Sequence, residues 1–119
     1  MVYTVSAGRL SSNGDRLKVV MSGVTASNAN NKTIKFYILG VEVLSIVNPA
    51  SGDTWVFHCD VARLSSTTFS ATYTKSGFAT TVVSSPSTPL TATLSNALDV
   101  KATATAAATS DVSQNYLSV

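Results

Sequence analysis

Thr54-Trp55-Val56-Phe57-His58-Cys59-Asp60-Val61-Ala62-Arg63 decides the fold class. Trp55, Phe57, Cys59 and Val61 recur at every second position, and Val56, His58, Asp60 and Ala62 fill the alternate ones. A period of two is that of a β-strand, whose side chains point to opposite faces in turn. The first set makes an apolar face and the second a mixed one, so the stretch reads as a strand covered on one side. Asn48-Pro49-Ala50-Ser51-Gly52-Asp53 before it and Leu64-Ser65-Ser66 after it carry the turn-forming residues that bound such a strand.

The same rhythm runs outward in both directions. Downstream, Thr67–Lys75 places Phe69, Ala71 and Tyr73 on one face and Thr68, Ser70, Thr72 and Thr74 on the other, and is expected to pair antiparallel with 54–63. Upstream, strands are predicted at Val2–Ser6, Arg16–Thr25, Thr33–Leu39 and Val41–Val47. Asn13-Gly14, the polar run Ser27–Lys32 and Gly40 separate them. Both faces of Val41–Val47 are apolar, so that strand is expected to be covered on both sides. Toward the C-terminus, Phe78–Val83 is predicted as a short strand and Ser84–Pro89 as a loop, because two prolines exclude a central strand. Leu90–Leu94 is ambiguous. Leu98–Thr105 alternates Leu98, Val100, Ala102 and Ala104 against Asp99, Lys101, Thr103 and Thr105, and Val112–Val119 closes the chain. Threonines at 103, 105 and 109 argue against a helix over Ala102–Ala108. The expectation is one all-β domain over 1–119, an antiparallel sandwich of eight to nine strands. Its core is expected to centre on Trp55, Phe57, Cys59, Val61, Phe36 and Phe69, because aromatic side chains bury the most area.

Composition agrees with strands and narrows function. Charged residues are 12% of the 119, about half the usual share of roughly 25%. Ser, Thr and Val fill the gap, and β-branched residues suit a pleated surface. With 45% apolar residues and a net charge of +2, disorder is not expected. The eight basic residues are scattered rather than gathered in a stripe, which argues against nucleic acid. Met1-Val2-Tyr3-Thr4 has neither the basic nor the apolar region of a signal peptide, and every apolar run is far shorter than the roughly 18 residues of a membrane span. A soluble protein made in the cytoplasm is expected. The Asn31-Lys32-Thr33 glycosylation pattern is then accidental.

Catalytic chemistry finds little to work with. His58 and Asp60 share a strand face, but a metal site needs further ligands, and there is one histidine and one cysteine. Cys59 points away from His58, as strand neighbours do, so the two do not form a nucleophile and base. No serine has a Gly-x-Ser-x-Gly context, and no phosphate-binding glycine loop exists. Glu42 is the sole glutamate, and Asp15, Asp53, Asp60, Asp99 and Asp111 sit mostly in turns or at strand ends, where aspartate serves the backbone. No catalytic residue, metal or cofactor is expected. Tyr37, Tyr116 and Trp55 are the residues from which a sugar-stacking platform would be built.

From Asn31 onward the chain resembles a group of bacteriophage virion proteins: jelly-roll-like domains of decoration proteins, head fibres and tail fibres. The residues that carry the resemblance are Asn31-Lys32-Thr33-Ile34-Lys35-Phe36-Tyr37, Gly40, Gly52-Asp53-Thr54-Trp55-Val56-Phe57 with Arg63, Asp99-Val100-Lys101-Ala102-Thr103, and Thr109-Ser110-Asp111-Val112-Ser113-Gln114. Many relatives carry glycines where this chain has Ala104 to Ala108. The resemblance implies a jelly-roll sandwich and a homotrimer on the virion surface. Such a domain packs against major capsid or other virion proteins, with residues 1–30 anchoring to the particle. A receptor- or glycan-binding module of a tail fibre is the alternative. The nearly charge-free faces of Thr67–Lys75 and Leu98–Thr105 are the expected subunit contacts, since interface cores are depleted in charge.

Overall fold

A computed structural model of the chain describes residues 1–47, 49, 52–77, 82–84 (as backbone) and 89–119. Asn48, Ala50 and Ser51 of the expected turn, residues 78–81 of the strand expected from Phe78, and residues 85–88 of the expected loop lie outside the described residues.

The described residues form ten strands and no helix: β1 Val2–Val5, β2 Arg16–Thr25, β3 Lys32–Ile38, β4 Val41–Val47, β5 Thr54–Arg63, β6 Thr68–Ser76, β7 Val82–Ser84, β8 Leu90–Thr91, β9 Leu98–Ala106 and β10 Val112–Ser118. Eight are four residues or longer; β7 and β8 are short additions to one edge of β6. All pairings are antiparallel. Sheet A has the order β1-β9-β3-β4 and sheet B the order β10-β2-β5-β6-β7, with β8 also on β6. The fold is the antiparallel β-sandwich expected from the two-residue period, and its strand order is compatible with a jelly-roll type.

The core forms where the alternating faces meet. In sheet B, the β2–β5 register sets Leu17 opposite Val61, Val19 opposite Cys59 and Met21 opposite Phe57, and all six are buried. Sheet A contributes Ile34, Phe36, Ile38 and Val100, each fully buried. Phe36 joins the layers: its ring stacks on Phe57 at 4.4 Å and 10°, and meets Trp55 edge-on at 5.5 Å and 78°. Tyr73 also stacks on Phe57, at 5.5 Å and 28°. Burying each such ring is worth about 1.5–3 kcal/mol, and the aromatic geometry adds about 0.5–1.5 kcal/mol per pair.

Trp55 fits because its cross-strand neighbour has no side chain. Gly23 lies opposite it, and a Cβ there would fall inside the indole and onto the Ser113 carbonyl oxygen. Both obstacles are rigid, and overpacking of this kind costs about 1–3 kcal/mol or more. Gly23→Ala is therefore expected to lower the urea midpoint and disturb the tryptophan fluorescence of the native state. Unchanged stability would show that β10 can move off the site freely.

The β3–β4 hairpin turns through Leu39-Gly40, both with positive φ (51° and 81°). Two such residues make the type I′ turn that matches strand twist. Leucine there carries a conformational cost of about 1–2 kcal/mol, offset by burial of its side chain at 1% exposure.

β4 departs from expectation. It is the edge strand of sheet A, not a strand covered on both sides; only Ile46 is buried, and Val47 is 67% exposed. A continuous apolar run is equally the pattern of a strand buried on two faces, and here, among the described residues, no layer lies outside sheet A to cover the second one.

Candidate functional site

Four places gather chemistry-bearing side chains. The first is a polar network buried at one end of the sandwich, which sequence reasoning missed. Lys32, assigned from sequence to a loop, begins β3 and is 2% exposed. Its Nζ donates to Asn28 Oδ1 (2.8 Å), Asn30 O (3.0 Å) and Asn28 O (3.2 Å), one acceptor for each of its three donors. Asp111, 1% exposed, accepts from Asn28 Nδ2 (2.7 Å), Asn30 Nδ2 (2.9 Å) and the Ala108 backbone N–H (3.0 Å). The Asn28 side chain thus bridges a buried ammonium and a buried carboxylate, Asn30 does so with its backbone carbonyl and its side-chain amide, and together they lock the β2–β3 loop to the β9–β10 turn. All three donors of Lys32 and both carboxylate oxygens of Asp111 are satisfied internally, so the network is a clamp.

The amides of Asn28 and then Asn30, with the Ala108 N–H and the charge of Lys32, hold the Asp111 carboxyl below its ordinary value of 3.8. A depressed carboxyl pKa stabilises the fold above the unfolded-state pKa, and that contribution disappears as pH falls through the folded value. Stability is expected to drop below about pH 4, with a smaller drop in Asp111→Asn. Asp15 and Glu42, shifted in the same direction, leave a residual slope. Urea midpoints from pH 6 down to pH 2 check this; equal slopes in the two proteins would remove Asp111 from the acid response.

The second place is His58-Cys59-Asp60 on β5. His58 and Asp60 are exposed on the outer face of sheet B, where Asp60 faces Lys18 and Thr72, and His58 faces Val20 and Thr74. Cys59 points the other way, at 2% exposure. Burial first, and the charge of Asp60 second, push its thiol up to about 12. A thiol so protonated is not a nucleophile at neutral pH. Native protein is expected to react slowly with a thiol reagent and unfolded protein quickly; fast native labelling would overturn that burial. Among the described residues, no three His, Cys, Asp or Glu side chains are grouped as metal ligands.

The third is the outer face of sheet A. Lys35 pairs with Glu42 at 2.9 Å, and the Tyr37 hydroxyl donates to the same carboxylate at 3.3 Å. Lys101 lies 5.8 Å from the Tyr37 ring centre and 3.8 Å from Asp99, which also accepts from Thr4 Oγ1. Exposed pairs of this kind contribute about 0–1 kcal/mol. The aromatic residues singled out for sugar stacking are not brought together. Tyr37 is on this face, Tyr116 is half-exposed on the outer face of sheet B, and Trp55 is fully buried.

The fourth is the seam where β9 of sheet A lies over β10 of sheet B. Val100 is buried, yet two positions further along the same inward face Ala104 is exposed. Cavities of about 340 and 260 Å³ open there, sharing Ala104 and Val112, and no ionisable side chain lines either. Ile34 and Trp55 contribute to the floor of the smaller one. Set beside known proteins, the chain matches no family model, no curated protein and no solved structure.

Proposed function

We propose that this chain is a non-enzymatic structural component of a phage particle, which decorates or stabilises the capsid by burying surface against other virion proteins. The observation that carries the reading is the outer face of sheet B. Across β2, β5 and β6 it presents Val20, Ser22, Val24, Val56, His58, Ala62, Ser70, Thr72 and Thr74, and its charges are Arg16 at one end and Lys18 and Asp60, which sit opposite each other. A solvent-facing sheet usually carries mixed charge for solubility; a broad face this poor in charge suits contact with another protein. The Thr-rich side of β6, expected from the sequence to meet a subunit or partner, belongs to this face. The resemblance supplies the virion, the jelly-roll class and the homotrimer, with the protein made in the host cytoplasm and residues 1–30 in contact with the particle. Those residues supply β1 and β2, so anchoring would go through the sandwich itself.

The test is co-sedimentation of the purified protein with empty capsid shells. Saturable binding without sugar, together with a higher shell disruption temperature, is the expected result. Failure to bind shells, with binding to host cells or glycans weakened by Tyr116→Ala, would replace this reading with that of a tail-fibre receptor module.

A further inference from the structure

From the seam between β9 and β10 we infer that two copies of this chain pair through the open edge of β9, over Ala102–Ala106, about a twofold axis at Ala104. The inference goes beyond the capsid reading and does not depend on it.

Three observations lead to this contact. The first is the register of sheet A. β3 covers one side of β9 from Lys101 to Ala106, but β1 covers the other side only from Leu98 to Lys101, where Val2 is its last partner. Met1 then turns toward sheet B, its amino group donating to Gln114 Oε1 at 2.8 Å. Among the described residues, the far side of Ala102–Ala106 therefore has no strand beside it. An unpaired edge presents backbone donors and acceptors that another strand can satisfy.

The second is the lack of any device that blunts this edge. Charges, prolines, bulges and shortness are the usual protections. Among the described residues, β4 carries Glu42 and a register irregularity against β3, and β10 carries a bulge between Gln114 and Tyr116. β1, β7 and β8 are four residues or fewer. Ala102–Ala106 has no charge, proline, glycine or bulge.

The third observation selects a second copy as the occupant. Ala102-Thr103-Ala104-Thr105-Ala106 reads the same in both directions. An antiparallel strand of identical sequence, centred on Ala104, sets alanine against alanine, and Thr103 against Thr105 of the second copy. Residues directly opposite in an antiparallel pair share a face of the sheet. The alanines of both copies therefore point inward, into the cavities where Ala104 now stands exposed. The threonines line the outer face, where cross-strand Thr–Thr pairs are favourable. The axis is perpendicular to the sheet and the contact is isologous, the same patch serving both copies. Sheet A becomes continuous across the pair, with β1 of each copy flanking the new junction. The chain leaves β9 after Ala106 into the turn toward β10, so neither strand runs into the β1 of the other copy.

Two experiments together test the contact. Light scattering at micromolar concentration should give two chains, or six if the threefold association of the capsid reading also forms. The double variant Thr103→Lys/Thr105→Lys sets like charges opposite each other across the axis and should halve that mass, with native tryptophan fluorescence confirming the fold. A mass of one or three chains, or an even mass that the lysines leave unchanged, overturns the contact. If the double variant does not fold, cross-linking decides. At the axis the two Ala104 Cα atoms are about 4.5–5.5 Å apart, within the range of about 4.4–6.8 Å that a disulfide spans. Ala104→Cys should therefore oxidise almost completely to a covalent dimer, and Thr109→Cys, away from the axis, should not. Buried Cys59 gives no background. Equal cross-linking of the two variants, or none in Ala104→Cys, overturns the pairing.

Discussion

Trp55→Ala is expected to remove about 3–5 kcal/mol of folding stability, the largest effect of any single truncation in this molecule. Trp55 is fully buried, lies over Gly23, and receives the edge of Phe36 from the opposite sheet. Truncation deletes the largest side chain of the core and leaves a void that neither neighbour can fill. Gly23 has no side chain to move, and Phe36 is held in its stack on Phe57. The seam lies next to the site, so water would enter the enlarged space through the smaller cavity that Trp55 helps to line. A domain of this size has about 5–15 kcal/mol in total, so the variant should show a much lower urea midpoint and detectable unfolding in water. A loss under about 1 kcal/mol, the range of surface substitutions, would place the indole outside the core.

Lys32→Met is expected to cost on the order of 3 kcal/mol. The substitution keeps the length of the stem, so the loss reports the ammonium. Three hydrogen bonds from a charged donor disappear at once, and the Asn28 and Asn30 carbonyl groups they served stay near the buried Asp111 carboxylate. Hydrogen bonds to charged groups are worth about 1.5–3 kcal/mol each and do not add fully when they share a donor. Hydrogen exchange should rise first in the β2–β3 loop and the β9–β10 turn, the two segments the network joins. The double variant Lys32→Met/Asp111→Asn separates charge from packing: if it is more stable than Lys32→Met alone, the uncompensated carboxylate carries part of the cost. A loss under about 0.5 kcal/mol in Lys32→Met would show a solvated lysine rather than a clamp.

The strands themselves were written in local pattern. Arg16–Thr25, Val41–Val47 and Thr54–Arg63 have the limits that alternation and turn residues indicate, and the other long strands differ by a residue at one end or, for β3 and β6, at both. Alternation alone also places Trp55, Phe57, Cys59 and Val61 on one face, because a strand's side chains must point to opposite sides in turn. Period two states which residues share a face; it carries no information on which strand lies alongside or what lies above. Those were decided by tertiary structure. β4 became an edge, β1 was joined to β9 nearly a hundred residues later, and the inward alanines of β9 were left facing an open seam. The buried clamp is the clearest case. Lys32 and Asp111 look like loop residues in sequence because the segments that bury them are distant: Lys32 bonds within its own loop, but the asparagines of that loop reach Asp111. Asn28 and Asp111 are 83 positions apart, and only the packing of the β2–β3 loop against the β9–β10 turn excludes water from both charges.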